Sequence, residues 1–191
     1  AVRARGGRAA SGGCGRGACA VWGAELVLAS GFRYGCGTKF EALLGTKKAG
    51  KQLINREAGA QVLAPAYGAD AARDRIVVVT NVGHLLMFSV AELPELDNGG
   101  KGNKLIEIPK VKLTHGERVA GIAVVSEGKG EVTLWAGQRK LSLQWVAMAE
   151  YNGNRAQRSR ILPRGFQHVY LIETPGYRQG FKRRGSKRST R

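Results

Sequence analysis

Apolar and polar positions along the chain repeat as a module that appears three times. Each copy reads as an apolar strand, a Gly-centred turn, a second apolar strand, a basic Gly-rich loop and a further short strand. Copy one runs Leu26–Ser30, turn at Gly31, Phe32–Leu44, loop Gly45–Lys51, then Gln52–Ile54. Copy two runs Ile76–Thr80, turn at Asn81–Gly83, His84–Leu93, loop Asp97–Lys104, then Leu105-Ile106. Copy three runs Val132–Ala136, turn at Gly137, Lys140–Met148, loop Tyr151–Arg160, then Ile161-Leu162. A period of about 50 residues with several strands in each period predicts a propeller-like array of β blades. A lone blade cannot bury its faces, so neighbouring copies must stack.

The strand patterns differ in detail. Leu141, Leu143 and Trp145 alternate with Ser142 and Gln144, the period of a half-buried strand, and Leu86, Phe88 and Val90 alternate likewise. Ile76–Val79 is a continuous β-branched run, expected where both faces are buried. Each copy closes with a further strand, at Gln61–Ala64, Val119–Val125 and His168–Ile172. Turns are expected at Asn98-Gly99-Gly100, Asn152-Gly153 and Glu127–Gly130. Short helical turns fit Val90–Glu95 and Val146–Glu150, and no long helix is expected.

Three regions follow. Residues 24–174 form the β array. Residues 1–23 contain no Leu, Ile, Asp, Glu or Lys and lack the periodicity of a strand or helix. They read either as a nucleic-acid-binding arm of the RGG type or as a GC-rich coding region translated out of frame. The second reading is preferred, and sequencing the gene across the junction tests it. Residues 175–191 are polar and basic and are expected to lack structure. The chain begins with Ala1 rather than Met, which fits a fragment.

Charge gives the first functional direction. The formal net charge is +17, and the last 16 residues hold seven basic groups and no acid. A basic body with a basic tail favours a polyanion, nucleic acid before an anionic membrane surface. No apolar run approaches a membrane span and no segment has a signal-peptide layout. Three cysteines, Cys14, Cys19 and Cys36, give no disulfide framework, which suits a reducing cytosol.

Catalytic motifs are weak. Gly45-Thr46-Lys47-Lys48-Ala49-Gly50-Lys51-Gln52 follows a P-loop through its lysine. It then places Gln52 where a hydroxyl should ligate Mg²⁺, and it leads into a strand instead of the helix that would cradle phosphate. Cys14, Cys19, Cys36, His84 and His115 do not assemble the spacing of a closed zinc site. Cys36 reads as a small buried residue. The three histidines are scattered with no nucleophile motif, and His168 reads as a packed core histidine. Trp135, Trp145, Phe88 and Phe40 sit in strand patterns and read as core.

The basic loops are the strongest signal. Lys47, Lys48 and Lys51 belong to copy one, Lys101 and Lys104 to copy two, and Arg155, Arg158, Arg160 and Arg164 to copy three. Arg139 and Lys140, beside the Gly137 turn, join the candidate set. Glycines let backbone approach phosphates and Lys or Arg neutralise them, so equivalent loops on one edge should track a phosphate backbone. No recognition-helix pattern is present, so base-specific readout is not expected. A protein-interaction module with incidental charge is the alternative from another class, and a general RNA-binding protein a third.

The stretch Ile76–Leu96, followed by Lys101-Gly102-Asn103-Lys104-Leu105-Ile106-Glu107-Ile108-Pro109, resembles the C-terminal domain of the ParC chain of bacterial DNA topoisomerase IV. The resemblance continues through Ala136–Leu143, Arg160–Phe166, Leu28–Gly35 and Lys47–Lys51, about residues 24–174 in all. It implies a β-pinwheel, an all-β propeller-like fold related to the gyrase A C-terminal domain, with a basic rim that binds duplex DNA. About three blades of a larger domain are visible. The basic Gly box of gyrase is absent, so gyrase-type wrapping is not expected, and a degenerate gyrase A domain is the alternative within the family.

The family's breakage–rejoining tyrosine lies upstream, and none of Tyr34, Tyr67, Tyr151, Tyr170 or Tyr177 sits in its motif. The resemblance therefore implies no catalytic residue, metal or cofactor in this chain, with ATP and Mg²⁺ used by other domains of a parent topoisomerase. It further implies, as partners, the rest of the ParC chain and a separate ATPase subunit. The implied location is cytoplasmic and nucleoid-associated.

Overall fold

A computed structural model describes residues 25–43, 52–55, 57–68, 70, 72–96, 99–175 and 177–180. Twelve strands are present among the described residues: β1 (Glu25–Ala29), β2 (Tyr34–Lys39), β3 (Ala66–Gly68), β4 (Asp74–Thr80), β5 (His84–Ser89), β6 (Asn103–Lys104), β7 (Val119–Ser126), β8 (Glu131–Ala136), β9 (Arg139–Gln144), β10 (Arg160–Ile161), β11 (Val169–Thr174) and β12 (Tyr177–Gly180). They form three four-stranded antiparallel sheets in the orders β3-β1-β2-β6, β10-β5-β4-β7 and β12-β11-β8-β9. The repeat pattern therefore gives three blades, as expected. The strands β3, β7 and β11 contact one another across the blades and mark the inner side, leaving β6 and β10 outermost.

Two apolar layers hold the blades together. Val27, Ala29 and Ala66 of the first sheet pack on Ile76, Val78, Leu86 and Phe88 of the second. The opposite face of the second sheet, with Val77, Val79, Leu85 and Met87, packs on Val132, Leu134 and Leu143 of the third. Ile76–Val79 are fully buried, as their continuous apolar run predicts. For β5 the expected alternation is wrong in kind. Leu85 and Met87 are as buried as Leu86 and Phe88, because the middle blade is sandwiched on both sides.

The end blades differ. The third sheet turns polar contacts outward: the Thr133 and Ser142 hydroxyls lie 3.2 Å apart and the Trp135 indole donates to Glu173 at 2.8 Å. The first sheet turns an apolar cavity of about 410 Å³ outward, lined by Leu28, Leu43, Leu53, Ile54 and Val62.

Several expectations need correction. The second strands of the copies are shorter than the apolar runs, because each ends in a helical turn: Phe40–Leu43, Val90–Glu92, and α2 (Trp145–Met148) continuing through Ala149–Tyr151. The helical turns expected near 90 and 146 are thus present, while α1 (Lys110–Thr114) was not expected. Leu105 and Ile106 are not strand but fully buried plugs, the strand being Asn103–Lys104 just before them. Likewise Arg160–Ile161 pairs and Leu162 is buried. At 61–64 only Val62 makes an isolated bridge, to Ser30, and the strand comes at Ala66. The apolar content marked these segments but not which residues find a pairing edge.

Gln52–Asn55 contain neither a helix nor the expected strand; Leu53 and Ile54 are buried under the first sheet as plugs, so the P-loop-like segment leads into no phosphate-cradling helix. Its residues 45–51 lie outside the described residues, as do 1–24 and 181–191. The tail boundary at 174 falls too early, since β12 pairs with β11 at Thr174↔Tyr177. His168 is exposed rather than packed, because it precedes β11. Phe88 is core, whereas Trp135, Trp145 and Phe40 are half-buried. Cys36 is fully buried.

Candidate nucleic-acid interface

The outermost strands decide where the basic loops lie. β6 belongs to the second copy in sequence, yet it pairs with β2 of the first sheet, Tyr34 facing Lys104 and Gly35 facing Asn103. β10 belongs to the third copy and pairs with β5 of the second sheet, His84 facing Ile161 and Leu85 facing Arg160. Isolated parallel bridges Gly37↔Glu95 and Met87↔Asn152 extend both contacts. Each of the two described basic loops thus runs along the outer edge of the preceding blade, the copy-two loop on the first and the copy-three loop on the second. Lys47, Lys48 and Lys51 of the first loop lie outside the described residues.

Close backbone approach makes this possible. Gly102 has φ +72°, and a Cβ there would stand 2.2 Å from the carbonyl oxygen of Gly35. Only glycine fits such a contact at such a φ.

Half of the described candidate cations are engaged within the fold. The Lys101 ammonium sits 4.3 Å from the centre of the Tyr34 ring and 2.9 Å from Glu57. The hydrogen bond to Glu57 holds it above the ordinary lysine range. Lys104 is paired with Glu107 at 2.8 Å. Arg155 donates its amide to Glu92 at 2.9 Å and its guanidinium to the Lys104 carbonyl at 3.1 Å, so the two loops touch. Arg158 reaches His84 Nε2 at 2.9 Å and Glu117 at 3.5 Å. His84 Nδ1 lies 3.0 Å from the Ser159 carbonyl, which can only accept. Nδ1 therefore carries the proton and Nε2 accepts from Arg158.

Arg139, Lys140, Arg160 and Arg164 form the other half. All four are exposed and have no carboxylate partner among the described residues. The Arg139 guanidinium lies against Gly165, which brings the copy-three loop to the head of β9. Lys140 stands 6.0 Å from the Trp135 ring. Pattern reasoning missed the exposed Lys110 and Lys112 of α1, which belong to no repeat loop. Their neighbour Glu107 donates its amide to the Gln157 carbonyl, placing them beside the copy-three loop. Arg33 was also missed. It is buried, donating to the Ile108 carbonyl at 2.6 Å, and its partners lie too far along the chain for local pattern to reveal.

No family model matches the sequence. It is 41% identical over 161 residues to the A subunit of DNA topoisomerase 4 from Pseudomonas aeruginosa, covering 80% of this chain and 20% of that protein. It is 34% identical over 149 residues to the corresponding Escherichia coli K12 protein, covering 78% and 19%. The structure of the E. coli ParC C-terminal domain matches with a TM-score of 0.69 at 33% identity, covering 78% of this chain and 60% of that one. The chain is a β-pinwheel of the topoisomerase IV ParC type. The gyrase A C-terminal domain shares the fold, with a TM-score of 0.63 at 11% identity over 80% of this chain and 49% of that one. This pinwheel spans about a fifth of the length of the curated relatives it matches. Among its described residues, no helix is long and apolar enough to cross a membrane, and no group of three His, Cys, Asp or Glu could hold a metal ion.

Proposed function

We propose that this pinwheel is the duplex-DNA-binding C-terminal region of a topoisomerase IV ParC chain. The observation that carries this reading is the exposed set Arg139, Lys140, Arg160 and Arg164, without carboxylate partners among the described residues. Arg160 lies on the strand that the copy-three loop adds to the second blade, and Arg139 and Lys140 lie on the outermost strand of the third, where Arg139 lies against Gly165. Such cations neutralise phosphates without reading bases, which suits a surface that holds or bends duplex irrespective of sequence. Sequence identity supports the topoisomerase IV relation, at 41% and 34% to the two A subunits.

In this reading the parent enzyme passes one duplex through another, relaxing supercoils and unlinking chromosomes in the bacterial cytoplasm at the nucleoid. The strand-cleaving tyrosine lies elsewhere in ParC. ATP and Mg²⁺ act in other domains, with the ATP bound by a partner subunit. This chain contributes phosphate contacts and geometry, and it cleaves no DNA by itself.

The test is binding of a labelled duplex by fluorescence anisotropy across a salt series. Affinity should fall steeply with salt. Replacing Arg139, Lys140, Arg160 and Arg164 together by Ala should reduce the slope of log affinity against log salt by about 3–4, close to one per lost phosphate contact. An unchanged slope in a folded variant would favour a protein-interaction surface with incidental charge.

A further inference from the structure

Two junctions between blades repeat one arrangement that the linear repeat of the copies does not show. Tyr34 and His84 are the first residues of β2 and β5, and each faces a residue of the outermost strand, Lys104 and Ile161. Three residues before each facing position stands a cation, Lys101 and Arg158. Each cation turns back onto the ring: Lys101 at 4.3 Å from the Tyr34 centroid, Arg158 at 2.9 Å from His84 Nε2. Each also meets one carboxylate from the stretch ahead of the inner strand, Glu57 at 2.9 Å and Glu117 at 3.5 Å. The chemistry differs, a cation–π contact in one and a hydrogen bond in the other, while the ring and the cation hold the same places. The carboxylates come from different points, Glu57 nine residues ahead of β3 and Glu117 two ahead of β7. In the third sheet the equivalent position is Arg139, the first residue of β9. No outermost strand from another copy covers it among the described residues, and the arginine is exposed.

We propose that this ring–cation–carboxylate contact is a latch that fixes the copy-two and copy-three loops on the preceding blades. Lys101 and Arg158 are then positioning residues, not phosphate contacts, whereas the third sheet has an exposed arginine, Arg139, at the place where the other two sheets have the latched ring. The inference rests on the DNA-binding reading for its purpose but not for its geometry. Three observations support it. Lys101 and Arg158 each have a fixed carboxylate partner, so a phosphate would have to displace it. Glu117 is buried and Arg158 half-buried, and Glu117 Oε1 and Arg158 Nη1 are both shut off from solvent, so the facing ends of this pair are held inside the fold. The Leu162 amide donates to the Gly83 carbonyl at 2.8 Å, anchoring the loop next to the His84 latch.

The experiment uses the whole chain and two readouts, hydrogen exchange at the Leu162 amide and the salt dependence of duplex binding. His84→Leu removes the acceptor without touching the cation or the carboxylate. A latch predicts at least about tenfold faster exchange at Leu162 in His84→Leu, with exchange in β8 unchanged as the control for global folding. In Arg158→Ala, which also leaves Glu117 without its cation and lowers global stability, exchange at Leu162 should rise by at least about tenfold more than exchange in β8. His84→Gln should restore slow exchange, because its amide can accept from Arg158 and donate to the Ser159 carbonyl. The double variant His84→Tyr with Arg158→Lys, which copies the first junction, should also restore it where His84→Tyr alone does not. Wild-type exchange in His84→Leu would overturn the proposal. So would Arg158→Ala lowering the salt slope by about one with exchange unchanged, the behaviour of a plain phosphate contact. If no variant, wild type included, binds duplex, the DNA reading fails while the exchange data still decide the latch.

Discussion

Gly35 and Gly102 meet backbone to backbone across the first blade: a Cβ on Gly102 would fall 2.2 Å from the Gly35 carbonyl oxygen, and one on Gly35 would fall 2.7 Å from that of Leu28. Neither obstacle is a flexible side chain. Gly102→Ala should therefore combine left-handed strain with a clash against fixed backbone and cost about 2–4 kcal/mol. Gly137 has φ +64° but nothing within 4 Å of its Cβ position. Gly137→Ala should cost only about 1–2 kcal/mol. Thermal unfolding of the two variants measures the difference.

Leu105 follows directly on β6 and is fully buried among residues of the first two sheets, although copy two supplies it. Leu105→Ala should destabilise the chain by about 2–5 kcal/mol, whereas Val146→Ala, at a position 81% exposed, should stay within about 0.5 kcal/mol. Denaturant midpoints separate a core plug from a loop residue.

The thiol of Cys36 is fully buried, and that burial pushes its pKa up from 9.0 to about 11. Below pH 9 both folded and unfolded chains hold the proton, and the contribution is complete. Between about pH 9 and 11 the unfolded chain releases it first, so stability falls as pH rises. The loss should approach about 2–3 kcal/mol by pH 11. Cys36→Ala should flatten this part of the stability–pH curve, measured by urea unfolding at each pH.

Glu117 is 5% exposed and takes its charge partner from the outer loop of another copy. Arg158→Ala leaves that carboxylate buried without its cation and should cost about 3–5 kcal/mol. Glu117→Gln, which leaves the more exposed arginine behind, should cost about 1–2 kcal/mol. Equal losses in urea unfolding would show that the pair is screened by solvent.

Much of the architecture is local enough to read directly. The β-branched run Ile76–Val79 announces a strand buried on both faces, the glycines at 83 and 137 mark the hairpins, and the three repeats give three sheets. The positions of the cations along the chain are equally plain. These features depend on side-chain type and on residues a few positions apart, so the linear order of amino acids is enough to set them.

Other features depend on which distant segments touch, and they emerge only when the blades are assembled. Nothing near Lys104 or Arg160 states that it will pair with a strand of the preceding copy, because a two-residue strand has no periodicity of its own. The same interlocking gives Lys101 and Arg158 their rings and carboxylates, while Arg139 and Lys140 remain exposed. As loop residues these cations look alike, and charge alone cannot tell a cation held by the fold from one offered to a ligand. That distinction comes from the blade edge each loop lies against.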